Sequence, residues 1–114
     1  MRRLTILVAA IMLVATFSVQ PASASVVVKG TSGNRWKPNS VSVATGTKVV
    51  WKAVTGSHTV TAYKGNWSKN TTIAQGTSTS FTFKSTGVYK FRCRFHSSVV
   101  NGKCSGMCGK VVVG

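Results

Sequence analysis

Short runs of alternating apolar and polar residues, separated by glycine, asparagine, serine and proline, dominate the chain after residue 24. The runs recur about every eight to twelve residues, and no window there has the period of an amphipathic helix. This pattern predicts an all-β fold of about seven to eight strands, arranged as a sandwich or a barrel. The segment 64–77 is predicted to be a loop with room for a short edge strand or one helical turn. The predicted strands are Val26–Lys29, Ser40–Val43, Thr47–Lys52, His58–Tyr63, Ser78–Phe83, Val88–Arg94 and Gly109–Val113.

Residues 1–24 have the three parts of a secretory signal peptide. Arg2 and Arg3 give a charged start, an apolar run extends from Leu4 to Val19, and residues 22–24 read Ala-Ser-Ala, an A-x-A cleavage site. A retained transmembrane helix needs roughly 20 apolar residues, which is more than this run provides. We therefore predict cleavage after residue 24. The remaining residues 25–114 would form one exported domain that is periplasmic, extracellular or associated with the cell envelope.

The chain contains 15 lysine and arginine residues and no aspartate or glutamate. Carboxylate acid–base catalysis, Ser-His-Asp triads and carboxylate sites for calcium or magnesium are therefore impossible within it. The positive charge favours solubility and attracts anionic partners, such as an acidic protein face, a cell-wall polymer or a membrane surface. Specific nucleic-acid binding is not expected, because the basic residues are scattered and the protein is predicted to be exported.

The stretch from Phe91 to Lys110 contains all three cysteines of the chain, one of its two histidines and a methionine. Strand alternation places the cysteine of Tyr89-Lys90-Phe91-Arg92-Cys93 on the same, core-facing side as the two aromatic residues. Three interpretations fit the stretch. The first is a structural zinc site, the second is one disulfide with a free buried thiol and incidental histidines, and the third is a type 1 copper site. The zinc ligands would be Cys93, His96, Cys104 and Cys108.

The copper interpretation accounts for the most residues. A type 1 site needs two imidazoles, one thiolate and a weak axial thioether. The chain supplies this set with no histidine left over, and with Cys93 on the metal, Cys104 and Cys108 are free to pair. Zinc is disfavoured because reduced cysteine-rich zinc sites are uncommon outside the cytoplasm. The predicted copper ligands are His58, Cys93, His96 and Met107.

The chain resembles the plastocyanin-like cupredoxins, the type 1 blue copper proteins, over most of residues 25–114. The resemblance implies a Greek-key β-sandwich with one copper ion near one end. It places His58 at the end of one strand, and Cys93, His96 and Met107 in the loop that joins the last two strands. The similar segments, in order, are WKPNSVSVATGTKVVW (36–51), SHTV (57–60), FTF (81–83), GVYKFRCRFH (87–96) and GMCGKVVV (106–113).

Two features depart from the family pattern. Thr59 follows the first histidine, where the family usually has an asparagine that helps to fix the ligand loop. The segment 97–106, between His96 and Met107, is also longer than is typical of the family. We hypothesise that a Cys104–Cys108 disulfide positions Met107 at the end of this segment.

The predicted function is the transfer of single electrons between redox partner proteins, without enzymatic activity. The resemblance implies an apolar docking patch around the second histidine, formed here by Phe95, His96, Val99 and Val100. The surrounding positive charge would steer partners with acidic faces toward a monomeric protein. A copper carrier or buffer of the cell envelope is the alternative, and a wall-binding domain without copper is a third interpretation.

Overall fold

The computed structural model describes residues 25–114, and the predicted signal peptide lies outside the described residues. The described residues form nine strands joined by turns, and they include no helix long and apolar enough to cross a membrane. The predicted all-β sandwich is confirmed, with nine strands rather than seven or eight. The strands are β1 (Val26–Thr31), β2 (Arg35–Lys37), β3 (Ser40–Val43), β4 (Thr47–Ala53), β5 (His58–Lys64), β6 (Asn70–Ile73), β7 (Ser78–Phe83), β8 (Gly87–Val100) and β9 (Lys103–Val113).

The strands form a four-stranded sheet in the order β2-β1-β4-β7 and a five-stranded sheet in the order β3-β9-β8-β5-β6. β1 pairs in parallel with β4, and β3 with β9, so the chain crosses between the sheets as a Greek-key sandwich requires. β2 and β6 are edge strands of three and four residues; β2 is missing from the prediction, and β6 is the short edge strand that the prediction allowed within 64–77. Alternation cannot identify such short strands, because their extended conformation depends on the neighbouring strand with which they pair.

The core lies between the two sheets and is rich in aromatic side chains. Trp51 of β4 is fully buried, and its ring packs edge-on against Phe91 of β8 at a centroid distance of 5.3 Å. Trp36 of the short strand β2 closes one end of the core and contacts the same Phe91 ring at 5.8 Å. Aromatic pairs in this geometry add about 0.5–1.5 kcal/mol beyond the burial of their surface. The core therefore anchors β8, the strand that carries Cys93.

β8 and β9 continue well past their predicted ends and form one long hairpin. Asn101 and Gly102, the two turn residues, both have positive φ, at 50° and 73°. This is the combination required by a type I′ turn, whose twist matches that of the flanking strands. The expectation of a loop between the last two strands is therefore wrong, because segment 97–106 is mostly paired strand. The Asn-Gly pair in the sequence is the local signal that predicts this hairpin.

Candidate metal centre

Three predicted ligands, His58, Cys93 and His96, meet at one end of the sandwich. Their donor atoms all lie within 4.8 Å of one another. The Cys93 Sγ atom is 3.7 Å from Nδ1 of His58 and 3.5 Å from Nδ1 of His96. His58 and Cys93 are completely buried, while His96 is half-buried. The cluster therefore has two ligands inside the protein and one imidazole that reaches toward the surface.

The orientation of His58 is set by the turn that precedes β5. The Thr55 carbonyl oxygen is 2.7 Å from Nε2 of His58, and because a carbonyl can only accept, this nitrogen must carry the proton. The Nδ1 atom that faces Cys93 therefore has a free lone pair. The turn itself is held by Gln75, whose side-chain oxygen accepts the Gly56 N–H at 2.8 Å. These contacts orient the imidazole for coordination through Nδ1.

A bulge in β8 brings Cys93 and His96 together. In a regular strand, residues three apart point to opposite faces. The β8–β9 register shifts between the pairs Arg92↔Cys108 and Ser97↔Gly106, so residues 93–96 lie opposite the single residue Met107. A bulge redirects side chains locally, and here it lets both ligands face His58. Inside the bulge, the Ser97 hydroxyl donates to the Cys93 carbonyl and Arg92 donates to the Ser97 carbonyl at 3.2 Å.

Met107 lies on β9 directly across from this bulge. Its side chain is almost completely buried, with 1% of its surface exposed. The register places it beside the ligand-bearing part of β8. The predicted axial ligand thus occupies the correct part of the fold, although the segment before it is a hairpin arm and not a loop.

Cys104 and Cys108 form a disulfide, as hypothesised. Their Cα atoms are 6.2 Å apart, whereas four residues of a regular strand span about 13 Å. β9 therefore bends sharply between them. Gly106, inside the bend, has a φ of 97°, and a Cβ atom there would overlap the His96 carbonyl oxygen. The bend, its disulfide and its glycine immediately flank Met107.

Thr59 contacts both sides of the thiol-bearing segment. Its backbone N–H points to the Cys93 Sγ atom at 3.3 Å, and its hydroxyl oxygen accepts the Arg94 N–H at 2.7 Å. The Thr59 side chain is fully buried. Thr59 therefore links β5 to β8 through contacts with both Cys93 and Arg94, at the position where the family usually has asparagine.

The four predicted docking residues lie around the bulge and along the hairpin. Phe95 is 55% exposed, and its ring packs edge-on against His96. Val100, at the hairpin turn, is 66% exposed, and Val99 is half-buried. Phe95 and the half-buried His96 form a partly apolar surface next to the metal-binding cluster, whereas Val99 and Val100 lie further along the hairpin toward its turn.

Sequence reasoning missed the residues that orient the ligands from outside. Thr55 and Gln75 act through one hydrogen bond each, and Ser97 donates to the Cys93 carbonyl and accepts from Arg92. None belongs to a motif, and Gln75 is far from His58 in the chain. Of these three residues, only Thr55 could have been identified from the sequence, because it precedes a glycine turn just before His58.

The donor set fits a type 1 copper ion. For bonds of about 2.0–2.3 Å to imidazole and thiolate, donors in a trigonal arrangement are about 3.5–4 Å apart. The sulfur-to-nitrogen distances of 3.5 and 3.7 Å match this spacing. A His₂Cys set with a buried methionine beside it is the set that type 1 copper prefers.

Comparisons with known proteins agree with this assignment. Residues 22–114 match the model of the family described as copper binding proteins, plastocyanin/azurin family. A comparison with curated protein sequences gave no match.

Several solved structures share the fold. A copper-containing nitrite reductase from Thermus scotoductus is 20% identical with a TM-score of 0.66; the match covers 80% of this chain but only 22% of the reductase. A purple cupredoxin from Nitrosopumilus maritimus is 19% identical with a TM-score of 0.60, over 78% of this chain and 99% of that protein. Pseudoazurin from Methylobacterium extorquens is 24% identical with a TM-score of 0.62, over 80% and 76% of the two chains. At these identities the likeness concerns the fold alone.

Proposed function

Because this chain belongs to the plastocyanin/azurin family of copper-binding proteins, whose cofactor is one type 1 copper ion, we propose that it carries single electrons between redox proteins. The observation that carries the proposal is the convergence of two Nδ1 atoms on a buried thiol. The proposed ligands are His58, Cys93 and His96, with Met107 in the axial position. Copper, when bound, supplies one-electron chemistry between its two oxidation states.

The protein's part is to hold these donors in one arrangement. His58 and Cys93 are buried, so water has no access to them. The Thr55 carbonyl fixes one imidazole, and the Thr59 N–H reaches the sulfur at 3.3 Å. A hydrogen bond to a cysteine sulfur is one of the factors that tune the potential of such a site. A rigid set of donors also keeps reorganisation small when the charge of the site changes.

The composition supports a carrier without enzymatic activity. The chain has no carboxylate side chain and only two histidines, so it cannot assemble a further copper site of the histidine-rich kind. The nitrite reductase that shares its fold is a much larger protein, of which this chain spans about a fifth. We therefore assign it to the small single-site proteins of the family.

We propose that partners dock where His96 approaches the surface. Phe95, whose ring packs against His96, supplies exposed apolar area there, and the excess of positive charge attracts acidic faces. The association rate with an acidic redox partner should therefore fall as ionic strength rises. We also propose that the protein is exported and acts as a monomer, on the evidence of its N-terminal sequence and its uniform, self-repelling charge.

Copper addition tests the proposal directly. Adding Cu(II) to the apo-protein should produce an intense blue or purple colour with a narrow copper hyperfine splitting, and Cys93→Ser should abolish both. Reversible voltammetry with the metal retained supports electron transfer. Rapid removal of copper by a mild chelator would instead support a copper carrier, and a protein that binds no copper would refute both.

A further inference from the structure

The outer face of the five-stranded sheet carries three lysines in one register row. Lys64 of β5 pairs with Lys90 of β8, which in turn pairs with Lys110 of β9. Adjacent strands are about 4.8 Å apart, and like charges directly opposite each other destabilise a sheet. The chain contains no carboxylate side chain to neutralise them. This row, called here the lysine row, is thus an arrangement that weakens the fold unless an anion from outside binds to it.

An open cavity of about 220 Å³ lies at two lysines of this row, Lys90 and Lys110, and Lys64 does not line it. Lys90 and Lys110 line it together with Asn39, Ser40 and Tyr63. Ser40 comes from the edge strand β3, where it pairs with Lys110, and Tyr63 lies at a register shift in β5. The cavity therefore collects two ammonium groups, a phenol, a hydroxyl and an amide from four different strands or turns.

These polar groups are not engaged by the protein itself. Lys69 donates to Thr79 at 2.8 Å, and Arg92 donates to Ser97, so some cations of this chain do have internal partners. Within residues 25–114, by contrast, the side chains of Lys90, Lys110 and Tyr63 make no hydrogen bond. Burial raises the pKa of the Tyr63 phenol, an effect that Arg92 partly offsets, so the phenol is a proton donor at neutral pH.

We propose that this cavity and the lysine row bind the phosphate groups of a linear polyanion. Several donors approach from different directions, which suits a tetrahedral oxyanion better than a planar carboxylate. No arginine lines the cavity, so the two-pronged pairing that favours carboxylates is absent from it. Lys64 lies outside the cavity, with its Nζ atom beside Gly102 of the hairpin turn, and adds positive charge on the same face.

A membrane surface fits this face less well. Proteins that lie on membranes usually insert aromatic or large apolar side chains beside their basic residues. The exposed large apolar residues of this protein do not line the cavity; they are Val27, Val54, Val88, Phe95 and Val100.

The opposite sheet offers a matched control. Lys29 of β1 pairs with Lys37 of β2 and with Lys52 of β4, so three lysines also stand in one register row on this face. These three lysines are exposed and do not line the cavity. Replacing them changes the net charge by the same amount as replacing the lysine row.

The test compares Lys64→Gln/Lys90→Gln/Lys110→Gln with Lys29→Gln/Lys37→Gln/Lys52→Gln, a lysine row without this cavity, using polyphosphate as the probe and the copper-loaded protein. We expect the first variant to bind at least about 10-fold more weakly and the second less than about 3-fold more weakly than wild type. In the first variant, the negative slope of log K against log salt concentration should become smaller in magnitude by about 2. The reason is that each lost phosphate contact reduces the magnitude of this slope by about 0.7–0.9. Both variants should stay folded, because each relieves charge repulsion.

A second variant removes donors without changing charge. Ser40→Ala/Tyr63→Phe should also weaken polyphosphate binding while the salt slope remains as in wild type. Equal weakening in both lysine variants would overturn the proposal and leave only a diffuse electrostatic field. Polyglutamate or anionic lipid vesicles binding as tightly as polyphosphate, with the same loss in the first variant, would also overturn it in favour of an acidic protein or a membrane. Because none of these residues is a proposed copper ligand, this result is independent of the copper spectrum.

Discussion

Thr59 offers the sharpest test of how the strands around the metal centre are tied together. Its hydroxyl lies 3.0 Å from the Thr61 hydroxyl, and the Thr61 hydroxyl donates to the Asn70 side-chain oxygen at 3.0 Å. Because Thr61 has a single hydroxyl proton and uses it there, Thr59 must be the donor within the threonine pair. The Thr59 oxygen is then left as the acceptor for the Arg94 N–H at 2.7 Å.

Thr59→Val keeps the shape of the side chain but removes both hydrogen bonds. The Arg94 N–H loses its acceptor in a partly buried position, and an unsatisfied group of this kind costs about 1–3 kcal/mol. The lost donation to Thr61 adds about 0.5–1.5 kcal/mol. We therefore expect the free energy of unfolding of the apo-protein to fall by about 2–4 kcal/mol. Thr59→Ser keeps both bonds and should cost less, about 1 kcal/mol, for the lost methyl group.

Urea unfolding of the three apo-proteins measures these differences, followed by tryptophan fluorescence. The hydrogen bond to the Cys93 sulfur comes from the Thr59 backbone, so copper-loaded Thr59→Val should still show the thiolate-to-copper absorption. If Thr59→Val and Thr59→Ser both unfold within about 0.5 kcal/mol of wild type, the stabilising role of the two Thr59 hydrogen bonds is refuted.

The other predictions concern the hairpin and the outer face. Cys104→Ser/Cys108→Ser should shift the copper potential and spectrum by loosening the bend that holds Met107; unchanged values would show that the bend needs no disulfide. Gly102→Ala forces a positive φ on a residue with a Cβ atom, so it should lower the free energy of unfolding by about 1 kcal/mol, as urea denaturation can verify. Since the folded-state pKa of Tyr63 is raised above its ordinary value of 10.0, its contribution to stability is present below pH 10 and is lost as pH rises further. Wild type should therefore lose stability faster than Tyr63→Phe above pH 10, and parallel curves would contradict this.

Alternation and residue chemistry predicted much of the fold and of the site. The β4 residues alternate strictly between core and solvent, and Cys93 is buried where strand counting placed it. The ligand types that a type 1 copper site needs grouped His58 with Cys93, and the resemblance to a known family implied the same grouping. The same reasoning missed the short strand β2, because three residues are too few to show a period.

The hairpin was missed for a different reason. The family resemblance implies a loop between the last two strands, whereas Asn101 and Gly102 in the middle of an apolar–polar run indicate a turn. The bulge in β8 at residues 93–96 has no comparable short-range signal in the sequence. It exists because residues 93–96 must fit opposite one residue of β9, and that fit depends on the pairing of two strands.

The sequence by itself determined which side chains face the core, which can bind a soft metal, and that no carboxylate opposes the positive charge. These properties belong to single residues or to neighbours along one strand. Only the tertiary structure decided which nitrogen of His58 is free, how Cys93 and His96 come to face the same point, and that Lys64, Lys90 and Lys110 stand in one row. Those features depend on strand register and on backbone groups distant in the chain, and register is set jointly by both partners of a pair.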